Sequence, residues 1–255
     1  MKFIQIVFSP TGGTQKVADT IMTSWDPSFE RIDLSDANKD FNEIQLQKED
    51  VALIAVPSFG GRVPELAISR LKEIHGNGAM SVLVCVYGNR AYEDTLVELQ
   101  DTAEQCGFQT IAAVAAIAEH SIMHQYATGR PDEKDKEELH QFAKQILEKI
   151  HTNPSGWTTA NIPGNHPYKK AGSTPLIPKA DKNCNSCGIC AEKCPAQAID
   201  LNNPKETNSK KCISCMRCVS ICPQSARKVN GALVAMAALA IKKACSERKN
   251  NELYY

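Results

Sequence analysis

Apolar runs and amphipathic stretches alternate along the first 150 residues of the chain. Five short runs, at 3–8, 29–34, 51–56, 81–87 and 110–117, have the composition of strands, and several are apolar nearly throughout. Such runs are typical of strands that are buried on both faces of a sheet. Apolar residues recur at helical spacing in the stretches 14–24, 64–74, 92–106 and 132–150. The alternation predicts an α/β fold for residues 1–151, with a doubly wound five-stranded parallel sheet.

The pattern changes after residue 151. Residues 152–180 are rich in proline and glycine and are predicted to form a linker, with Trp157, Ile162, Tyr168 and Leu176 against a domain surface. Residues 181–230 are too few to depend on an apolar core, so metal ligation is expected to supply much of their folding free energy. Residues 231–255 are predicted to form a helix, to about residue 245, and a polar tail. Cys245 is expected to be an exposed thiol.

A loop rich in hydroxyls and glycine lies between the first predicted strand and the first predicted helix. It reads Ser9-Pro10-Thr11-Gly12-Gly13-Thr14. A helix N-terminus favours an anion because its first N–H groups are free and its dipole is positive there. The loop matches neither a P-loop nor the dinucleotide fingerprint, so we expect it to bind one phosphate. Taken alone, the loop is equally compatible with a simple helix cap and turn.

This loop resembles the phosphate loop of flavodoxins, Ser/Thr-x-Thr-Gly-x-Thr. Two further loops support the resemblance, since each follows a predicted strand at the sheet edge where doubly wound folds bind ligands. They read Pro57-Ser58-Phe59-Gly60-Gly61-Arg62-Val63-Pro64 and Tyr87-Gly88-Asn89-Arg90-Ala91-Tyr92. The resemblance implies FMN as the cofactor, with backbone groups of both loops at the polar edge of its ring.

By the same resemblance, Phe59 and Tyr92 are the candidates for the aromatic rings that flank the flavin, with Tyr87 as the alternative. The chain departs from many flavodoxins because its first flavin loop lacks tryptophan and because Gly13 stands where asparagine is common. It also carries Arg62 and Arg90 in the flavin loops, and a nearby cation would stabilise the anionic reduced flavin.

Eight of the eleven cysteines form two copies of one spacing, offset by 28 residues. The copies read Cys184-x2-Cys187-x2-Cys190-x3-Cys194-Pro195 and Cys212-x2-Cys215-x2-Cys218-x3-Cys222-Pro223. This is the run of bacterial ferredoxins, whose fourth cysteine binds the other 4Fe–4S cluster. The resemblance implies a small α+β ferredoxin-like domain with two clusters. One set of ligands would be Cys184, Cys187, Cys190 and Cys222, and the other Cys212, Cys215, Cys218 and Cys194.

Structural zinc is the main alternative for these cysteines. Four-cysteine zinc sites usually pair two C-x2-C knuckles across a loop and need neither the third C-x2 spacing nor a C-P terminus. Cys85 and Cys106 lie in predicted elements of the first domain and are interpreted as packing residues. No catalytic role is assigned to any cysteine.

The charges divide between the two halves, although the formal net charge is zero. Residues 1–150 carry 14 basic and 23 acidic residues, a net of −9, and residues 151–255 carry 15 and 6, a net of +9. Opposite charges favour docking of the halves, and salt would weaken that attraction. No recognised nucleic-acid module is present. The longest apolar stretch, about ten residues, is too short for the roughly 20 that span a bilayer. The cysteine usage and the lack of a recognisable leader favour a cytoplasmic location.

Together, the motifs resemble flavodoxin–ferredoxin fusion proteins and predict an electron-transfer protein that relays low-potential electrons between two 4Fe–4S clusters and FMN. Its partners would be external redox proteins, either a ferredoxin or a low-potential oxidoreductase. The alternative is an iron–sulfur flavoenzyme that reduces a small organic acceptor above Phe59, Arg62 and Arg90, in a pocket lined by Arg62, Arg90 or His120. An open pocket over the flavin would favour the enzyme, and a closed one would favour the carrier.

Overall fold

A computed structural model describes residues 1–152, 160–172 and 176–255. The described residues form eight strands: β1 (Phe3–Val7), β2 (Glu30–Asp33), β3 (Val51–Pro57), β4 (Met80–Tyr87), β5 (Gln109–Ile117), β6 (Lys179–Ala180), β7 (Arg227–Lys228) and β8 (Glu252–Tyr254). The first five are parallel neighbours in the order β2-β1-β3-β4-β5. This is the flavodoxin-like doubly wound order, and it confirms the predicted sheet.

Four of the seven α-helices in the described residues cover the two faces of the sheet, and three lie in the C-terminal part of the chain. They are α1 (Gly13–Trp25), α2 (Glu65–Leu71), α3 (Thr95–Gln105), α4 (Glu133–Thr152), α5 (Ile189–Glu192), α6 (Arg217–Ser220) and α7 (Gly231–Ile241). Helices α1 and α4 bury their apolar stripes on one face, while α2 and α3 pack on the other. Both faces of the sheet are therefore shielded from solvent, which accounts for its nearly continuous apolar strands. In the described residues, no helix is long and apolar enough to cross a membrane.

The C-terminal segment differs from the polar tail that the sequence predicts. It ends in strand β8, which pairs antiparallel with β5 through Tyr254 and Leu253 and adds a sixth strand to the sheet. Before it, α7 gives way to a 3-10 turn at Lys243–Cys245, and Cys245 is buried rather than exposed. A three-residue strand is too short to carry a recognisable sequence period, so its formation depends on the β5 edge that it covers.

The described parts of the linker lie against the first domain, as predicted. Ile162 packs on its apolar core, and the Asp94 carboxylate accepts hydrogen bonds from the backbone N–H groups of Asn165 and Lys169. Leu176 is buried. Tyr168 contacts the Arg62 guanidinium of the first domain, and Trp157 lies outside the described residues.

The cysteine-rich segment is enclosed by a short antiparallel pair, in which β6 meets β7. The pair joins residue 179, which precedes the first cysteine run, to residue 228, which follows the second. Between them, a small apolar cluster forms around Cys190, Cys194, Ala198 and Ile199. Few apolar side chains are available to hold this part of the chain, in agreement with a fold that depends on ligation.

Candidate cofactor sites

The two cysteine runs interlock around two cavities. The first cavity is lined by Cys184, Cys187, Cys190 and Cys222. The second is lined by Cys194, Cys212, Cys215 and Cys218. The fourth cysteine of each run thus crosses to the cavity of the other run, which is the exchange that the ferredoxin resemblance implies.

The backbone around the crossing cysteines is alike in the two copies. The Ala198 N–H donates to the Cys194 Sγ at 3.3 Å, and the Ala226 N–H donates to the Cys222 Sγ at the same distance. Hydrogen bonds to cluster sulfurs are among the means by which a protein sets the potential of an iron–sulfur centre. Both crossing thiolates therefore have a donor ready for their negative charge.

Each cavity also has one arginine with an unsatisfied donor. In the described part of the chain, the Arg217 Nε and the Arg227 Nε are the only buried side-chain nitrogen or oxygen atoms without a hydrogen-bond partner. Arg227 lines the first cavity and Arg217 the second. A buried donor without an acceptor is costly, and a sulfur-rich anionic cluster would supply one. The residues present fit 4Fe–4S clusters on this ground as well.

A single metal ion fits this geometry less well. Among the described residues, no three His, Cys, Asp or Glu side chains converge closely enough to hold one ion. The cysteines surround each cavity instead of meeting at a point. A structural zinc ion needs four sulfurs at about 2.3 Å from one centre, so the arrangement favours a polynuclear cluster.

The hydroxyl-rich loop forms the entry to α1. Gly12 adopts a left-handed conformation with φ of 90° and leads the chain into the helix. The Ser9 Oγ accepts from the Gln15 N–H at 2.9 Å, so its own proton remains available to an anion. No described residue accepts from the N–H groups of Thr11, Gly12, Gly13 or Thr14. Free amides and hydroxyls at a helix N-terminus fit the phosphate of FMN.

The loop after β3 is a tight hairpin. The backbones of Phe59 and Arg62 exchange both hydrogen bonds across Gly60 and Gly61. These glycines have φ of 62° and 88°, the positive values that a two-residue type I′ turn requires. Pro57 ends β3, and the Ser58 Oγ lies 2.7 Å from the Thr95 Oγ1. The half-buried Phe59 ring is thereby held on a rigid turn at the carboxyl edge of the sheet.

The loop after β4 is held by the C-terminal segment. Asn89 is buried, and its Nδ2 donates to the carbonyls of Cys245 and Glu247 at 3.1 and 2.8 Å. The Lys249 Nζ donates to the Arg90 carbonyl. The Asn89 side chain therefore binds the C-terminal segment. The groups of this loop that remain available to a flavin are backbone groups, including those of Gly88.

The aromatic candidates differ in their surroundings. Tyr87 is buried in the core and meets Tyr92 edge-to-face, with 5.2 Å between ring centroids. The Tyr92 hydroxyl donates to the Glu252 Oε2 at 2.6 Å and lies 2.7 Å from the Tyr254 hydroxyl. Burial raises the pKa of the Tyr92 hydroxyl, as do these hydrogen bonds. Strand β8 thus fixes the ring of Tyr92, and Tyr87 buttresses it from the core.

Neither flavin-loop arginine carries a free charge. The Arg62 guanidinium holds both oxygens of the buried Glu98, and Tyr168 of the linker lies over it at 4.9 Å. Arg90 holds both oxygens of Glu93, at 3.1 and 2.9 Å. The expectation of uncompensated cations near the flavin is corrected by these carboxylates, whose positions 36 and three residues away the motifs do not reveal.

His120 is a partly buried neutral base beside the same loop. Its Nδ1 accepts from the N–H groups of Ile122 and Met123, at 3.2 Å each. Its ring occupies the space where a side chain on Gly88 would lie. Burial lowers the pKa of His120 to about 4. At neutral pH it carries no charge, and it holds Gly88 close to the sheet edge.

Sequence reasoning missed several residues that organise the site. Glu93 binds Arg90 and Lys169, and its Oε2 lies 1.8 Å from where a Cβ on Gly61 would stand. Glu98 joins Arg62 to the Val63 N–H. Both are acidic residues at the start of a predicted helix, where a favourable interaction with the helix dipole is the ordinary interpretation. No sequence signal indicated their partners.

Comparisons with known proteins find an iron–sulfur domain in the C-terminal half of the chain. Residues 183–227 match the model of the 4Fe-4S dicluster domain, a span that includes all eight cysteines of the repeat. No curated protein matches the sequence significantly. The strand order and the family match together describe a flavodoxin-like domain joined to an iron–sulfur dicluster domain.

Solved flavodoxins are among the structures similar to this chain. The Streptococcus pneumonia TIGR4 flavodoxin is 19% identical, with a TM-score of 0.40, over 58% of this chain and 98% of that one. Flavodoxin 1 of Bacillus cereus is 15% identical, with a TM-score of 0.42, over 58% and 98%. The Fusobacterium nucleatum flavodoxin bound to flavin mononucleotide is 16% identical, with a TM-score of 0.40, over 58% and 99%.

Proposed function

We propose that the protein relays low-potential electrons between two 4Fe–4S clusters and FMN. The observation that carries this proposal is the contact between a dicluster domain with two four-cysteine cavities and the core of a flavodoxin-like domain. When bound, each cluster exchanges one electron and FMN exchanges one or two, so the pair joins one-electron carriers to two-electron chemistry.

The residues of the chain have separate tasks in this relay. The cysteine thiolates bind the clusters, and Arg217 and Arg227 offer buried donors to them. The free N–H groups of residues 11–14 bind the FMN phosphate. The Gly60–Gly61 turn and the loop held by Asn89 position the ring, and Tyr92 covers it. We place this relay in the cytoplasm, with a ferredoxin or a low-potential oxidoreductase as the external partner.

The alternative of a flavoenzyme for a small organic acceptor is not favoured by the site. That function needs a cation or an acid beside the flavin, and Arg62 and Arg90 are already paired with carboxylates. His120 is partly buried, and its Nδ1 already accepts two backbone hydrogen bonds. The described groups at this edge are therefore engaged in holding the loops together.

The decisive experiment is anaerobic reduction of the purified holoprotein, first with a reduced ferredoxin and then with NADH. A relay predicts iron, sulfide and FMN in the protein, followed by bleaching of the clusters and then of the flavin with ferredoxin as the donor. Reduction by NADH alone, followed by turnover of a small acceptor, would favour the enzyme. A colourless protein that contains zinc would overturn both.

A variant at the phosphate loop provides the control for FMN. The Thr11 hydroxyl is exposed and has no partner in the described residues, so Thr11→Ala should leave the thermal midpoint unchanged. If it binds the phosphate, its loss should weaken FMN binding by about tenfold or more, the value of a hydrogen bond to a charged group. Thr23→Ala changes the exposed face of α1, away from the phosphate loop, and should leave FMN binding unaltered.

A further inference from the structure

The two cysteine runs have the same spacing, but the residues between the cysteines face different surroundings. Asn185 and Ile213 occupy equivalent positions in the repeat. Asn185 is exposed at the first cavity, whereas Ile213 lines the second cavity and packs against the apolar core of the flavodoxin-like domain. An apolar side chain at the second cavity is thus buried by the other domain.

The prolines that follow the runs show the same difference. Pro223 is exposed beside the first cavity, while its equivalent Pro195 is buried beside the second. The Pro195 carbonyl accepts from the Arg70 Nη2 at 2.7 Å, and the Arg70 Nη1 donates to the Leu34 carbonyl at 2.7 Å. Arg70 therefore clamps the backbone next to the ligand Cys194 to the end of β2.

Charge complementarity supports the same orientation. A cleft between the domains is lined on one side by Asp33 and Asp36 and on the other by Arg217 and by Lys193, which is paired with Glu192 at 3.0 Å. Arg217 also lines the second cavity. The acidic first domain thus meets basic residues on the side of the second cavity, where the charge split of the chain favours docking.

Residues that line the first cavity are exposed instead. Cys187 is exposed, whereas its equivalent Cys215 is partly buried. Gln224, which lines the same cavity, is exposed too. A carrier protein can therefore approach the first cavity directly, while the second cavity is covered by the flavodoxin-like domain on the Ile213 side.

From these differences we infer that the relay has a fixed order, an assignment that rests on the proposed function. The cluster held by Cys184, Cys187, Cys190 and Cys222 exchanges electrons with the external carrier. The cluster held by Cys194, Cys212, Cys215 and Cys218 exchanges them with FMN. Each step moves one electron. The carrier is oxidised when the first cluster is reduced, and the electron then passes to the second cluster and from there to FMN. Two such electrons and two protons from water convert one FMN to its fully reduced form.

Substitutions on the two faces separate the steps. In the holoprotein, stopped-flow reduction by a reduced ferredoxin gives a concentration-dependent rate for cluster bleaching and a concentration-independent rate for flavin bleaching. Gln224→Trp, at the first cavity, should lower only the first rate, by about tenfold, within the range over which interface mutations change association. Ile213→Asn should lower only the second rate by about tenfold, because it removes an apolar docking contact.

Hydrogen–deuterium exchange gives a readout that does not depend on electron transfer. Ile213→Asn and Arg70→Gln should both raise exchange in residues 34–41, which lie beside Arg217 of the second run and the Arg70–Pro195 contact. Gln224→Trp should not. Arg70→Gln leaves the dicluster domain unaltered, so it keeps the test valid if Ile213→Asn fails to fold. Arg31→Gln, on the exposed side of β2, is its control and should change neither rate nor exchange.

The opposite pattern would overturn the assignment. If Gln224→Trp slowed flavin bleaching, or Ile213→Asn and Arg70→Gln slowed only the reaction with ferredoxin, the order would be reversed. Unchanged exchange at residues 34–41 in both interface variants would show that the second run does not dock there. A wild-type protein whose clusters are reduced while its flavin stays oxidised would refute the relay itself, and with it the assignment of a cluster to FMN.

Discussion

Asn251 attaches the C-terminal segment to the sheet, and we expect Asn251→Ala to detach it. The side chain is buried, its Oδ1 accepts from the Ile117 N–H at 3.0 Å, and its Nδ2 donates to the Glu138 Oε2 at 2.8 Å. Removal leaves a buried N–H without an acceptor and a carboxylate without one of its donors. At about 1–3 kcal/mol for the buried N–H and about 1 kcal/mol for the hydrogen bond lost at Glu138, the loss should be about 2–4 kcal/mol.

The consequence should reach the flavin loops. Asn251 lies a few residues after the carbonyls of Cys245 and Glu247, which hold Asn89 in the loop after β4. A detached tail would release that loop, so FMN should bind more weakly. The assay is thermal denaturation, where this loss corresponds to a decrease of about 5–10 °C for a chain of this size, together with fluorescence titration of FMN.

Two further variants test whether Asn251 holds the C-terminal segment. Asn250→Ala changes an exposed residue and should leave both measurements at the wild-type values. Asn251→Asp should be at least as harmful as Asn251→Ala, because it can accept from Ile117 but places a third carboxylate beside Asp135 and Glu138. Equal midpoints for all three variants and the wild type would show that the tail is not held by Asn251.

Three further outcomes are expected. Arg227→Gln removes the positive charge and buried donor of the first cavity and should lower the reduction potential of one cluster by about 60 mV or more in a redox titration. His120, whose pKa of about 4 lies below its usual value of 6.5, is protonated first in the unfolded chain; stability should fall by about 3 kcal/mol as pH drops from 6.5 to 4, and His120→Gln should flatten this part of the profile in urea denaturation. Gly61→Ala would collide with Glu93 and should weaken FMN binding in a fluorescence titration, more than Gly60→Ala, where the same positive φ faces open space.

Local signals explain which features the sequence could predict. Strands buried on both faces, such as β3 and β4, are apolar nearly throughout and therefore stand out at any point of the chain. The cysteine spacing is equally local, because each run supplies three ligands of one cavity from seven consecutive residues. The parallel sheet follows from such patterns without knowledge of the tertiary fold, and the two ligand sets are implied by the ferredoxin resemblance that the spacing carries.

The remaining features depend on partners that are distant in the sequence. Arg62 reads as a free cation until Glu98, 36 residues later, is found beside it. Asn89 reads as a flavin contact, although its acceptors lie 156 and 158 residues further on. Strand β8 has three residues and acquires its structure from the β5 edge. The chemistry of Arg62 and Asn89 was recognised from the sequence and β8 was not, but in all three cases the partner was supplied by the fold.

The cysteine repeat combines both situations. Identical spacing determines which thiolates share a cavity, yet symmetry of spacing contains no information about which cavity faces the other domain. That information lies in the intervening residues, where Asn185 and Gly188 of the first run are replaced by Ile213 and Met216 of the second. Met216 is buried and Ile213 packs on the neighbouring core, so the substitution of apolar for polar or small residues marks the inward face. An internal repeat thus provides its own control, because each departure from symmetry can be compared with an equivalent position in the same chain.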